Sequence, residues 1–194
     1  NDSILLDIAK KNKILGFAGS TSNVLKRYYD CAKKFDADPI IRITGDCPLI
    51  DPKLISKILK FFQENNFDYV TNGFPPTFPD GLDVEIFSFK SLEKAQKNAE
   101  LKSEKEHVTP FFKKHPELFK ISNFKNNKNL SSLRWTVDEK NDLKFVRRLY
   151  RQFKPKKIFS MNEILKILKE NPQLIAINNS IPRNQGYLNS IKND

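Results

Sequence analysis

The stretch Pro39 to Asp51, PIIRITGDCPLID, constrains the fold more than any other part of the chain. Ile40 to Ile43 form a short apolar run broken only by Arg42, and Thr44-Gly45-Asp46 stops it with a carboxylate at the tip. A run this short, bounded by turn residues, reads as a buried strand. A helix start follows at once: Pro48 fixes φ, Asp51 caps the next helix, and Pro52 suits its first position. A strand handing over directly to a helix is the βα step of an open α/β sheet, where ligands bind at the carboxyl ends of the strands. Asp46 therefore stands where such sheets do their chemistry. In isolation, a Gly-Asp after a strand is more often a plain turn or cap, so the rest of the chain has to weight the choice.

The alternation continues on both sides. Ser3 to Lys11 carries Ile4, Leu5, Ile8 and Ala9 on one helical face, with Ser3 as cap. Ile14 to Phe17 reads as a short strand, and Asn23 opens a helix whose Val24, Leu25, Tyr28, Ala32 and Phe35 recur at helical spacing. After the strand 40–43 come a helix over 53–63 and the strand Tyr69 to Thr71. Helix and strand in turn argue for a mostly parallel sheet covered by helices on both faces. Residues 72–83, NGFPPTFPDGLD, hold three prolines and two glycines, and such a loop is expected to be functional, a mobile lid that ligand orders. Val84 to Phe89 is a strand, followed by helices over 91–102 and 106–112. Leu118 to Phe124 and Leu133 to Val137 read as strands joined by the Asn/Lys-rich turn 125–130, and helices over 140–152 and 162–170 close the core. The chain is expected to form one domain over 1–177 with a polar, loosely held tail over 178–194.

Composition enters where partners are concerned. With 39% hydrophobic residues and 16 Phe, 194 residues suffice for a substantial core. No run of 18 apolar residues and no secretory leader pattern is present, so neither a membrane partner nor export is expected. Cys31 and Cys47 have no metal spacing around them and read as reduced thiols in a cytoplasmic protein. The net charge of +11 is C-terminal in origin: up to residue 97 there are 14 basic and 13 acidic residues, beyond it 20 and 10. Those lysines are scattered over helix faces, without an aromatic RNA-binding motif, zinc finger or arginine-rich arm, so the excess reads as a solvated face and not as a nucleic-acid surface.

Two carboxylates end core strands in the same way, Asp46 after 40–43 and Asp138 after 133–137, so one sheet edge can bring them together. Mg²⁺ takes hard oxygen ligands, usually one or two carboxylates completed by water and substrate phosphate, and this pair offers that set. Asp138 also reads as the N-cap of helix 140–152.

Four separated segments in order, RITGDCPLIDP at Arg42, DGLDVEIFS at Asp80, EHVTPFF at Glu106 and RWTVDEKNDLKFV at Arg134, resemble the cytidylyltransferase family. Within it the chain is most similar to the spore coat polysaccharide biosynthesis protein F branch, relatives of the acylneuraminate and 3-deoxy-manno-octulosonate cytidylyltransferases. The resemblance extends through GSTSNVLKRYYDCAKKF at Gly19 and the ending INNSIPRNQGYLNSI. It implies a Rossmann-like nucleotide-diphospho-sugar transferase fold, a three-layer αβα arrangement around a mixed, mostly parallel sheet. It also implies a CTP-dependent enzyme that activates a sugar acid for polysaccharide synthesis and releases pyrophosphate, with Mg²⁺ as cofactor and a homodimer as a possible assembly.

The same resemblance assigns roles residue by residue. Asp46 and Asp138 match the two acidic Mg²⁺ ligands, Arg42 and Thr44 line the nucleotide, and Asn23 and Arg27 approach the base. Asp83, Glu85, His107 and Arg134 face the sugar, Arg134 being suited to a carboxylate through paired hydrogen bonds. His107 reads equally as a packed helix residue. Family members open with a strand and a Gly-rich basic loop that holds the triphosphate, and nothing here matches it, so a first βαβ unit of roughly 30 or more residues is expected to be missing. Two alternatives stay open: another sugar nucleotidyltransferase or glycosyltransferase on the same fold, and a non-catalytic nucleotide- or sugar-binding relative.

Overall fold

A computed structural model describes residues 3–156 and 158–183. Its contacts divide the chain into two compact units interleaved in sequence, one comprising 3–40 and 88–119 among the described residues, the other 41–87 and 120–183.

The first unit is helical. Its helices are α1 (Ser3–Lys11), α2 (Val24–Lys34), α4 (Phe89–Asn98), α5 (Lys102–His107) and α6 (Pro110–Lys114). Asn23 caps α2 by accepting the Lys26 N–H at 2.8 Å, and Ser88 caps α4 through the Ser91 N–H. Leu25 and Ala32 of α2 and Leu92 and Ala95 of α4 are buried, α2 packs on α4 and α5, and Tyr29 stacks on Phe89 with centroids 5.6 Å apart. The two helices expected over 91–102 and 106–112 are three. The chain breaks at 99–101 because the Glu104 carboxylate takes the N–H groups of Glu100 and Leu101, and turns again at Val108, whose φ is +71°. Ile14 to Phe17 is not a strand: it pairs with no ladder, and Ile14 and Leu15 are exposed.

The second unit carries the sheet, apart from Ile40 at the start of its first strand. Among the described residues four strands, β1 (Ile40–Arg42), β2 (Tyr69–Thr71), β3 (Glu85–Phe87) and β4 (Ile121–Asn123), lie in the order β1-β3-β2-β4. β2 runs antiparallel to β3, with Val70 opposite Ile86, and parallel to β4, with Val70 opposite Ser122. The sheet is thus mixed, as expected, and its central strands β2 and β3 are buried along their whole length, which is why their sequences carry no polar alternation. α3 (Pro52–Glu64) starts where the sequence says it should: Asp51 accepts the Lys53 N–H and Pro52 occupies the first turn. Leu54, Ile58 and Phe62, one face at helical spacing, enter the core, each worth about 1.5–3 kcal/mol of burial. α7 (Lys140–Phe153) contributes Phe145, Val146 and Leu149, and α8 (Met161–Glu170) contributes Ile164 and Leu168 to the same core around Trp135. The second carboxylate oxygen of Asp51 also accepts the Met161 N–H, so one side chain anchors the starts of both α3 and α8.

Two expectations for this unit change. Leu133 to Val137 is not a strand of the sheet: it touches residue 80 through a single bridge, with the Leu133 carbonyl taking the Asp80 N–H and the Trp135 N–H on the Asp80 carbonyl, and its Val137 N–H goes to the Asp46 carbonyl. The loop 72–83 is not a free lid along its length. Phe78, Asp80 and Leu82 are buried, whereas 73–77 remains half-buried to exposed. Gly81, with φ +98°, lets the backbone lie against 135–136, where a Cβ would sit 2.5 Å from the Thr136 nitrogen.

Candidate active site

The loop after β1 folds back on itself. The Cys47 N–H reaches the Thr44 carbonyl at 3.3 Å, and the Thr44 hydroxyl lies 3.2 Å from the Cys47 sulfur. This turn leaves Gly45 in open space and presents Asp46 half-buried beside it. Burial pushes the Cys47 thiol up to about 12 against the Thr44 hydroxyl that opposes it, so this cysteine is a packing residue and not a nucleophile.

The Asp46 carbonyl accepts the Val137 N–H at 2.9 Å and the Thr136 hydroxyl at 3.2 Å. That pairing sets the Asp46 turn beside the 136–138 segment. Asp138 is one residue short of being the helix cap. The cap is Glu139, with Asp142 reaching back to accept the N–H groups of Asp138 and Glu139 at 3.1 and 2.9 Å. The Asp138 side chain is therefore 51% exposed and, among the described residues, engaged on one oxygen only, by Arg134 Nη2 at 2.7 Å.

Beneath it lies a chain of alternating charges. Arg134 forks onto Asp142 and reaches Asp80 at 3.0 Å; Asp80 lies 3.7 Å from Arg183 Nε; and Arg183 Nη2 donates to Asp83. Four carboxylates thus share two guanidiniums. Burial raises Asp80 to about 6 despite Arg183, and raises Asp83 above the usual carboxylate range. Asp142 goes the other way: its burial is outweighed by Arg134, Asn178 and two backbone N–H groups, which hold it low, and Arg134 is correspondingly held high.

Arg42 and Glu85 are partners: Arg42 Nη1 donates to Glu85 Oε2 at 2.5 Å and the buried Tyr69 hydroxyl to Glu85 Oε1 at 2.5 Å. Asp46, Thr44, Asp138, Asp83, Glu85, Arg42 and Arg134 all belong to the second unit. Asn23, Arg27 and His107 belong to the first, where Asn23 is a helix cap, Arg27 Nε holds the Ser20 carbonyl at 2.8 Å, and His107 ends α5 half-buried with partners of its own. Sequence reasoning missed Asp80, Asp142, Asn178 and Arg183. Asp142 was findable, since an acid three residues after a helix cap is a capping-box signature. The tail was expected to be loose from residue 178, yet Asn178 is buried, its amide donating to Asp142 and to the Arg134 carbonyl, and Arg183 binds the Phe78 carbonyl as well as Asp83. The remainder of that tail, 184–194, lies outside the described residues.

The sequence profile of cytidylyltransferases matches residues 3–179, which takes in this whole arrangement except Arg183. The chain belongs to the cytidylyltransferase family. It is 35% identical over 188 residues to an uncharacterized protein of Methanocaldococcus jannaschii, an alignment covering 96% of this chain and 75% of that one. It is 27% identical over 176 residues to the spore coat polysaccharide biosynthesis protein SpsF of Bacillus subtilis, covering 88% and 71%. A cytidylyltransferase structure from Leptospira borgpetersenii superposes with a TM-score of 0.86 at 36% identity, covering 90% of this chain and 74% of that one. Membership gives the reaction class, CTP-using nucleotidyl transfer, and the α/β fold agrees with it. Among the described residues no helix is long and apolar enough to cross a membrane.

Proposed function

We propose that this cytidylyltransferase couples CTP to a sugar acid in a Mg²⁺-dependent reaction that supplies surface polysaccharide synthesis. The observation behind the reading is the Asp46–Val137 backbone bond, which sets the turn that carries Asp46 beside the segment that carries Asp138, while Asp138 takes no part in helix capping. The donor set fits Mg²⁺: two hard oxygens at a rim with more acids than cations behind it, leaving the other positions to water and phosphate. Asp46 and Asp138 would hold the ion, which when bound neutralises phosphate charge at the reacting end of the nucleotide. The sugar hydroxyl oxygen bonds to the α-phosphorus, the bond to the bridging oxygen breaks, and pyrophosphate leaves while the hydroxyl proton passes to solvent.

The residues around that rim divide the remaining work. Arg42 and Thr44, on and after β1, lie on the approach to the nucleotide, and Glu85 holds Arg42 in place from the neighbouring strand. Asp83, the last residue of the loop 72–83, is held by Arg183 and by the Gly81 N–H at 3.3 Å, and is proposed to face the sugar. Asn23 and Arg27 at the start of α2 are proposed base contacts, and His107 a sugar contact.

The test is pyrophosphate release with each nucleoside triphosphate, Mg²⁺ and a panel of sugar acids and neutral sugars. Release is expected with CTP and a sugar acid. Asp46→Asn should cut it by more than about a hundredfold with the melting curve unchanged, since the amide keeps the shape and loses the charge. Release with a neutral sugar, or with another triphosphate in preference to CTP, refutes the substrate assignment; an unimpaired Asp46→Asn variant with normal metal dependence refutes the ligand.

A further inference from the structure

We propose that Arg134 is a positioning residue that orients the Asp138 carboxylate for a divalent cation, and not a contact for the sugar. This rests on the metal-dependent reading above. A guanidinium has five N–H donors and no acceptor. All five are used inside the protein: Nε on Asp142 Oδ1 at 2.9 Å, Nη2 on Asp142 Oδ2 at 2.9 Å and Asp138 Oδ2 at 2.7 Å, and Nη1 on Asp80 Oδ2 at 3.0 Å and the Pro182 carbonyl at 3.3 Å. The side chain is only 5% exposed. No donor is left over for a substrate carboxylate, so the paired hydrogen bonding that makes arginine a carboxylate receptor is spent on Asp142.

Asp142 makes the arrangement directional. It is fully buried, and the same carboxylate that grips Arg134 also holds the N–H groups of Asp138 and Glu139 and the Asn178 amide. The backbone of Asp138 and the group that holds its side chain are thereby referenced to one anchor. The backbone of Arg134 is fixed as well, by Asn178 on its carbonyl and by the bonds that residues 133 and 135 make to Asp80. With Oδ2 of Asp138 drawn towards Arg134, the other oxygen remains for a cation. A metal ligand oriented by a buried partner typically loses 10–100-fold in metal affinity when that partner is changed.

Arg134→Lys separates geometry from charge, because lysine keeps the cation but places its donors at a single point and cannot span Asp142, Asp138 and Asp80 together. Mn²⁺ binding is read by electron paramagnetic resonance with CTP present, beside the Mg²⁺ dependence of pyrophosphate release and the KM for the sugar substrate. The expected result is a roughly tenfold weaker Mn²⁺ dissociation constant and a matching rise in half-saturating Mg²⁺, with the sugar KM within about twofold of wild type. A tenfold rise in sugar KM with unchanged Mn²⁺ binding makes Arg134 a substrate contact and overturns the proposal, as does a folded variant in which neither moves. Should Arg134→Lys fail to fold, Asp142→Asn, which weakens the anchor but leaves Arg134 in place, is expected to shift Mn²⁺ binding in the same direction, and no shift refutes the clamp. A wild-type protein that binds no Mn²⁺ with CTP overturns the metal reading itself; equal binding by wild type and variant overturns only the role of Arg134.

Discussion

Asn72→Ala should destabilise the protein by about 3 kcal/mol, with two backbone groups of the loop 72–83 and its exit carrying the effect. Asn72 is wholly buried at the end of β2, and its side chain acts as a piece of backbone: Nδ2 donates to the Leu82 carbonyl at 2.8 Å and Oδ1 accepts the Val84 N–H at 2.8 Å. Leu82 and Val84 are themselves fully buried, so no water can replace the lost partners. Leaving a buried donor or acceptor unsatisfied costs about 1–3 kcal/mol each, so two orphans give about 2–6 kcal/mol. The Asn72 N–H to the Val84 carbonyl, at 3.3 Å, survives the substitution, which keeps the expected value in the lower half of that range. Urea unfolding followed by circular dichroism measures it: for m near 2 kcal/mol/M the midpoint falls by about 1.5 M with m unchanged. Asn72→Asp, which keeps the acceptor for Val84 and loses the donor for Leu82, should not recover the wild-type midpoint. A shift below about 0.3 M for the Ala variant would show that the loop is not held in this way and that its buried half, 78–82, is anchored elsewhere.

Because burial raises Asp80 to about 6 while an unfolded Asp titrates near 4, the folded state holds a proton that the unfolded chain has lost between those values. Its contribution to stability is therefore present below about pH 4 and is lost as pH rises through about 6, on the order of 2–3 kcal/mol; Asp80→Asn should flatten that part of the stability–pH curve, and an unchanged slope would refute the assignment. Cys47, with its thiol at about 12, should react with a thiol reagent at pH 8 at least tenfold more slowly than in urea, and Cys47→Ala should keep turnover; fast labelling of the native protein would contradict its burial.

Much of the local structure was legible in the chain because its causes are local. The starts of α2 and α3 follow from Asn23, Asp51 and Pro52, and the core faces of α3, α7 and α8 from apolar spacing, since a helix states its period within a few residues of sequence. The motif strings around Asp46, Asp83, His107 and Asp138 sufficed for the family, because a chemistry that needs particular residue types leaves them in order along the chain. What tertiary structure alone decided was partnership. Nothing in RWTVDEKND says that Arg134 spends all its donors on Asp142, Asp138, Asp80 and Pro182, or that Asn178 and Arg183 return across 44 and 100 residues to hold Arg134 and Asp83. Leu133 to Val137 has the composition of a strand, yet lies outside the sheet because its backbone groups pair with Asp80 and Asp46, in loops far away in sequence. A hydrogen bond between distant residues leaves no period in the sequence, and only the folded chain determines which charge each arginine meets.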